Sequence, residues 1–168
     1  MSVPVRKPSV SKGNLPRVTI FTDGACLGNP GPGGYGVVLL FGPQRKELSG
    51  GYRLTTNNRM EIMAAIAGLE ALTQPCTVAL ISDSQYLVNA MEKGWAAKWK
   101  ASRWMRNKTE KAINPDLWER LLALCSKHDV TFSWVRGHSG TKENERCDRL
   151  AVTAANQQGL PEDDGYRP

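Results

Sequence analysis

VTIFTDGACLGNPGPGGYGVVLLF, residues 18–41, carries the reading that decides the fold. It opens on a β-branched run, Val18 to Thr22, crosses the glycine-rich turn GNPGPGGYG and closes on the apolar run GVVLLF. β-Branched and aromatic side chains suit a pleated, half-buried surface, and a glycine-rich connection between two such runs predicts antiparallel neighbours. A third strand is expected from Lys46 to Leu54, polar enough to be an edge or to have one face in water.

Downstream the period changes. From Asn58 to Leu72 the pattern is helical, with Ile62, Ile66 and Leu69 on one stripe behind a Thr-Asn turn signal. Thr77 to Ser82 (TVALIS) reads as a buried strand, and Ser84 to Met91 begins another helix. Asn114-Pro115 looks like an N-cap with proline at the first helical position, opening DLWERLLALCSK. Val130 to Val135 is a last strand, and Lys142 to about Gln157 a last helix with Cys147, Leu150, Ala151 and Ala154 inward. This order predicts an α/β fold: a mixed five-stranded sheet flanked by helices, three antiparallel strands followed by parallel ones. The first strand should pair in parallel with the fourth through a right-handed crossover. Ligands of such sheets sit beyond the carboxyl ends of the parallel strands.

The chain has 168 residues, 40% hydrophobic and 23% charged, which fits one domain with a proper core. Residues 1–16 and 158–168 are polar, proline-bearing and aperiodic, so flexible tails are expected on either side of a domain over 17–157. No apolar run spans a membrane and no apolar segment follows the basic N-terminus, so a cytoplasmic protein is expected. Cys26, Cys76, Cys125 and Cys147 lack CxxC spacing and read as reduced thiols, not as a zinc site or disulfide frame. A net charge of +6 suits a polyanionic partner.

Four carboxylates stand out. Asp23 ends one strand and Asp83 another, so both should emerge at the same sheet edge, although either could equally cap a turn or helix. Glu61 is the sole charged residue in MEIMAAIAGL, and its helical neighbours are Ala64, Ala65 and Gly68, a face that permits close packing. A glutamate pointing into the sheet needs a cation; the alternative is an exposed acid favoured by the helix dipole. Asp148 lies among charged residues, where a solvated acid is the default, and His138 sits in a glycine-flanked loop. If the four acids converge, each pair at about 4 Å would repel by roughly 4 kcal/mol at an effective dielectric of 20. Oxygen-only ligands of this kind favour magnesium or manganese over zinc.

The segments FTDGACLGNPGPGGYG, TTNNRMEIMAAI, SDSQYL, VRGHSG and ENERCDRLA stand in the order and spacing of type I ribonuclease H. Over roughly residues 17–157 the chain resembles the bacterial cytosolic members of that family more than the retroviral domains. The resemblance implies an endoribonuclease that hydrolyses the RNA strand of RNA-DNA hybrids with two Mg2+ ions, for which Mn2+ can substitute, leaving 5'-phosphate and 3'-hydroxyl ends. It assigns Asp23, Glu61, Asp83 and Asp148 to the metals, with Asp23 bridging both, and His138 to proton transfer or product departure. Cys26, Asn29, Asn57 and Gln85 would meet the minor groove, where amides can read RNA 2'-hydroxyls. For Asn57 and Asn58 the alternative is ordinary helix capping. Thr56 and Asn114 would hold a DNA phosphate.

Between Lys93 and Lys111 stand seven lysines or arginines against one acid, with Trp95, Trp99 and Trp104 interleaved. This resembles the family's basic protrusion; Trp99 is assigned to the DNA strand, Trp95 and Trp104 to anchoring the segment on the core. The chain departs from the family pattern in having KASR at the protrusion's centre, Thr141 in place of a second histidine and Leu54 in place of an arginine. No obligate protein partner is expected and a monomer is the default. Two further readings stay open: a hybrid-binding module without catalysis, and a DNA-cutting member of the wider superfamily.

Overall fold

A computed structural model describes residues 14–137 and 141–168. The elements run β1 (Arg17–Cys26), β2 (Gly31–Phe41), β3 (Gln44–Thr55), α1 (Asn57–Glu70), β4 (Thr77–Ser82), α2 (Gln85–Glu92), α3 (Trp95–Ala101), α4 (Pro115–Cys125), β5 (Asp129–Trp134) and α5 (Lys142–Ala155). Strands β3, β2 and β1 pair antiparallel, then β1, β4 and β5 in parallel, giving the order β3-β2-β1-β4-β5. The expected mixed sheet and the β1–β4 parallel pairing are therefore present.

The glycine-rich stretch differs from its expected role. Only the Leu27-to-Pro30 segment turns, closed by the Leu27 N–H donating to the Pro32 carbonyl at 2.7 Å, and Gly31 already starts β2. The glycines of β2 serve contact with a helix. A Cβ on Gly34 would lie 2.3 Å from the Ala151 carbonyl oxygen, and one on Gly36 would lie 2.2 Å from that of Cys147. Helix α5 thus rests directly on strand backbone. Val37, one residue on, faces the opposite side and packs toward Gly68 of α1, so α1 and α5 cover opposite faces of the sheet.

The main core lies on the α1 side. Ile20, Ile62, Ile66, Leu69, Leu80, Leu87 and Trp118 are fully buried there, each contributing about 1.5–3 kcal/mol of apolar burial. The expected stripe on α1 proves too narrow: ten of its fourteen residues are buried, because α4 packs against it on the side away from the sheet. A helix apolar nearly all round is a buried helix. Trp118 binds this layer together, with Tyr86 edge-on at 5.4 Å and Trp99 at 6.1 Å.

Both proposed tail boundaries need correction. Leu15 is buried and the Pro16 carbonyl accepts from Thr77 N–H at 2.8 Å, so the ordered N-terminal edge begins before residue 17. The stretch 158–168, expected to be a free tail, folds back on β3 and α1. The Arg53 N–H donates to the Pro161 carbonyl at 2.8 Å, and Asp163 accepts from the Thr55 hydroxyl and the Arg59 Nε–H, each at 2.7 Å. Local polarity could not show this, because the partner that holds the segment is a buried arginine 104 residues away.

Two substitutions test this packing. Gly36→Ala should destabilise the chain by about 1–3 kcal/mol, since the new methyl must push α5 off β2; an unchanged urea midpoint would mean the helix does not rest there. Arg103 is exposed and holds φ at 56°, a left-handed conformation that costs a side-chain-bearing residue. Arg103→Gly should therefore stabilise by roughly 0.5–1 kcal/mol in thermal melts.

Candidate metal centre and nucleic-acid face

Asp23 lies in β1, one residue beyond the Thr22–Ser82 register pair, so Asp83 emerges beside it at the end of β4. Glu61 arrives from α1, which comes so close at Gly24 that a Cβ there would stand 2.5 Å from the Glu61 nitrogen. Asp148 comes from α5, adjacent to Cys147, whose thiol donates to the Phe21 carbonyl at 3.2 Å and ties the helix to β1. Across the ladder Asp23 faces Gly36, the residue on which α5 rests.

Oxygens of Asp23, Glu61 and Asp83 lie within 4.8 Å of one another. Asp148 lines the same small cavity as Asp23 and Asp83, together with Thr22, Gly137, Asn144 and Glu145, and its charge acts on Asp23. It is not part of the tight three-carboxylate group. Glu61 is 5% exposed and Asp23 7%, which removes the reading of Glu61 as a solvated helix-start acid. The capping alternative for Asp83 goes instead to Ser84, whose hydroxyl accepts from the Leu87 N–H at 3.1 Å.

Burial, reinforced by the Asp83 charge, pushes the Asp23 carboxyl up to about 8, against one hydrogen bond from the Gly24 N–H that favours the ionised form. Burial also drives Glu61 well above the ordinary carboxylate range, with the Asp23 charge adding to it. Among the described residues, Glu61 Oε1 and Asp83 Oδ1 have no hydrogen-bond partner despite being buried. Such groups are costly to leave unsatisfied. Hard, anionic oxygens left unpaired and packed this closely form a donor set that fits a divalent cation of the magnesium or manganese type.

The residues assigned to nucleic acid fall into two connected groups and two separate positions. Cys26 ends β1, and its thiol donates to the Gly28 carbonyl at 3.0 Å; Asn29 follows in the turn and its Oδ1 accepts from the Asn57 N–H at 2.9 Å. Neither Asn57 nor Asn58 is the helix cap. Thr56 caps α1 by accepting from the Arg59 N–H at 3.2 Å. Asn114 occupies the N-cap position of α4 in a left-handed conformation, but its side chain makes no cap bond and accepts instead from Arg59 Nη1 at 3.2 Å. Gln85 stands exposed at the start of α2, and Trp99 lies on α3, its ring against Trp118 of α4. His138 lies outside the described residues.

The tryptophans do not divide as expected. Trp104 packs on the core and fits the anchoring role, whereas Trp95 is 38% exposed under the Lys93 ammonium, 5.4 Å from its ring. Trp99 is partly buried and packs edge-on to Trp118, so it anchors α3 whatever else it touches. Sequence reasoning overlooked Arg59, which donates to Asn114, its partners Asp116 and Asp163, and Trp134, whose indole N–H donates to the Asp83 carbonyl at 3.0 Å. The available signal was an arginine two residues before Glu61 inside an apolar helix.

The RNase H family model matches residues 16–156. Ribonuclease H of Syntrophus aciditrophicus (strain SB) is 72% identical over 150 residues, covering 89% of this chain and 87% of the relative. Ribonuclease HI of Synechocystis sp. (strain ATCC 27184 / PCC 6803 / Kazusa) is 62% identical, covering 89% and 94%. Among solved structures, LC9-RNase H1, described as a type 1 RNase H with the type 2 active-site motif, superposes with a TM-score of 0.75 at 34% identity, covering 84% of this chain and 72% of that one. With the sheet order, the carboxylate cluster and these likenesses in agreement, the chain belongs to the RNase H family, as a type I, bacterial ribonuclease HI-like member.

Proposed function

We propose that this chain is an endoribonuclease that hydrolyses the RNA strand of RNA-DNA hybrids, acting as a monomer in the cytoplasm with Mg2+, or Mn2+ in its place. The observation that carries the reading is the buried, unpaired carboxylate group of Asp23, Glu61 and Asp83, with Asp148 on the same cavity. These four residues would hold the metal ions, Asp23, Glu61 and Asp83 as the tight group and Asp148 from the same cavity. When bound, divalent cations activate water and offset charge on the phosphate during hydrolysis. Asp23 is central because its backbone is paired to β2 at Gly36, one residue past the last β1–β4 pair, with the Glu61 and Asp83 oxygens within 4.8 Å of its own. His138 would move a proton or assist product departure, leaving 5'-phosphate and 3'-hydroxyl ends.

Cys26, Asn29, Asn57 and Gln85 would line the minor groove. The bond between Asn29 and the Asn57 backbone supports this, because it holds the β1–β2 turn, with the Asn29 amide, against the start of α1. Such groups can donate to and accept from a 2'-hydroxyl, the group that separates RNA from DNA. Thr56 and Asn114 would take a DNA phosphate, and Trp99, with the basic segment around α3, would follow the DNA strand. No helix among the described residues is long and apolar enough to cross a membrane.

End-labelled RNA, offered alone, paired to RNA and paired to DNA, tests the reading alongside plain duplex DNA. Cleavage should be confined to the hybrid, require a divalent cation and vanish in Asp23→Asn. Tight hybrid binding by the wild type without cleavage would make the chain a binding module, and loss of duplex DNA would make it a DNA-cutting relative.

Stability should report the same centre. A carboxyl raised from 3.8 to about 8 by folding favours the folded state fully below its unfolded value and loses that contribution as pH rises through about 8. Glu61 shifts in the same direction. In chelator, Tm should therefore fall from about pH 4 to about pH 8, and Mg2+ in roughly the millimolar range should flatten that fall. A pH-independent Tm in chelator would show that the carboxylates do not repel. Asp23→Asn should raise stability in chelator at pH 8 by roughly 2–4 kcal/mol, less than the full shift because the repulsion is shared among three groups.

A further inference from the structure

Arg59 is 2% exposed at its side chain, and its guanidinium makes five hydrogen bonds. Nε and Nη2 donate to Asp163 at 2.7 and 3.0 Å, Nη1 and Nη2 to Asp116 at 2.9 and 2.7 Å, and Nη1 to Asn114 Oδ1 at 3.2 Å. Five is the full donor capacity of an arginine. With its charge already met by two carboxylates, Arg59 has nothing left for an external anion.

Its effect on its neighbours is directional. A guanidinium only donates, so the oxygen of the Asn114 amide must face it and the NH2 must turn away. Both N–H groups of that NH2 therefore point away from the guanidinium. The Arg59 backbone N–H likewise occupies an acceptor position on the Thr56 hydroxyl, leaving its O–H to donate elsewhere. Both side chains assigned to the phosphate are thus held in the donor sense that phosphate oxygens require.

We propose that Asp163 and Arg59 are positioning residues of the phosphate site: the C-terminal segment, clasped on Arg59 through Asp163, holds Thr56 and Asn114 as hydrogen-bond donors toward a DNA-strand phosphate. This rests on the reading of Thr56 and Asn114 given above. The segment is well placed for it. Besides the Arg59 contact, Asp163 accepts from Thr55, the residue before Thr56, and Pro161 accepts from the Arg53 N–H, so the clasp grips both the strand that leads to Thr56 and the helix that follows it.

The test compares hybrid cleavage by the full chain and by Asp163→Asn, Asp163→Ala, Asn114→Ala and the Asn114→Ala/Asp163→Ala double variant, well below each melting temperature. Asp163→Asn keeps one acceptor oxygen and guards against a failure to fold. The expected result is a roughly 5–20-fold rise in KM for Asp163→Ala with kcat within about twofold, the size of a single weakened hydrogen bond. In the Asn114→Ala background, Asp163→Ala should raise KM by clearly less than it does in the full chain, since the two changes share the Asn114 donor and only the positioning of Thr56 is left to lose. A hybrid carrying neutral methylphosphonates on its DNA strand should bind wild type more weakly yet be indifferent to Asp163→Ala. If Asn114→Ala raises KM and Asp163→Ala changes only Tm, the clasp is merely structural and the proposal falls. If Asn114→Ala leaves KM unchanged, the phosphate assignment itself fails, and the proposal with it.

Discussion

Three carboxylates held together and out of water at the junction of β1, β4 and α1 are the constraint around which the rest of this molecule is arranged. Folding must bring like charges to within 4.8 Å and strip their solvent, and burial pushes the Asp23 carboxyl up to about 8 as a consequence. Only a well-packed scaffold can impose that. The buried apolar layer of α1, α2 and α4 against the sheet provides the opposing free energy, and the central strand carries Asp23 where its backbone cannot retreat. The carboxylates are thus a cost of folding, of the kind that a bound divalent cation would relieve.

Helix α1 shows two solutions to a buried charge, two residues apart. Arg59 is satisfied within the chain, with five hydrogen bonds and two carboxylates drawn from α4 and the C-terminal segment. Glu61 is left with an oxygen that no described protein group meets. The first arrangement is complete and rigid; the second is a site for something from outside. Their proximity also joins the carboxylate cluster to the proposed nucleic-acid face, since the same short run, Thr56 to Glu61, caps the helix, anchors the C-terminal segment and delivers the acid.

Backbone proximity has the same purpose on both sides of the sheet. At Gly24 the helix α1 comes near enough to put Glu61 beside Asp23, and at Gly36 the helix α5 comes near enough to put Asp148 on the shared cavity. A side chain at either position would hold a helix away by more than the tolerance of a metal site. Gly24 and Gly36 in this sense help to shape the proposed metal centre, although neither carries a functional group.

Much of this was legible in the sequence for local reasons. The strand Thr77–Ser82 and the helix order follow from the period of apolar residues, which reports which face is buried, and Glu61 stood out because an isolated acid in an apolar helix has few inexpensive explanations. Motif order identified the carboxylates as a set. Tertiary structure decided what depends on partners remote in sequence: that Gly34 and Gly36 lie in a strand beneath α5, that Trp95 is exposed while Trp99 and Trp104 pack inward, and that residues 158–168 return to Arg59. A single stretch of sequence records the periodicity of its own burial, but the distance between backbones and the counter-charge of a buried arginine belong to pairs of segments, and exist only once the chain has closed on itself.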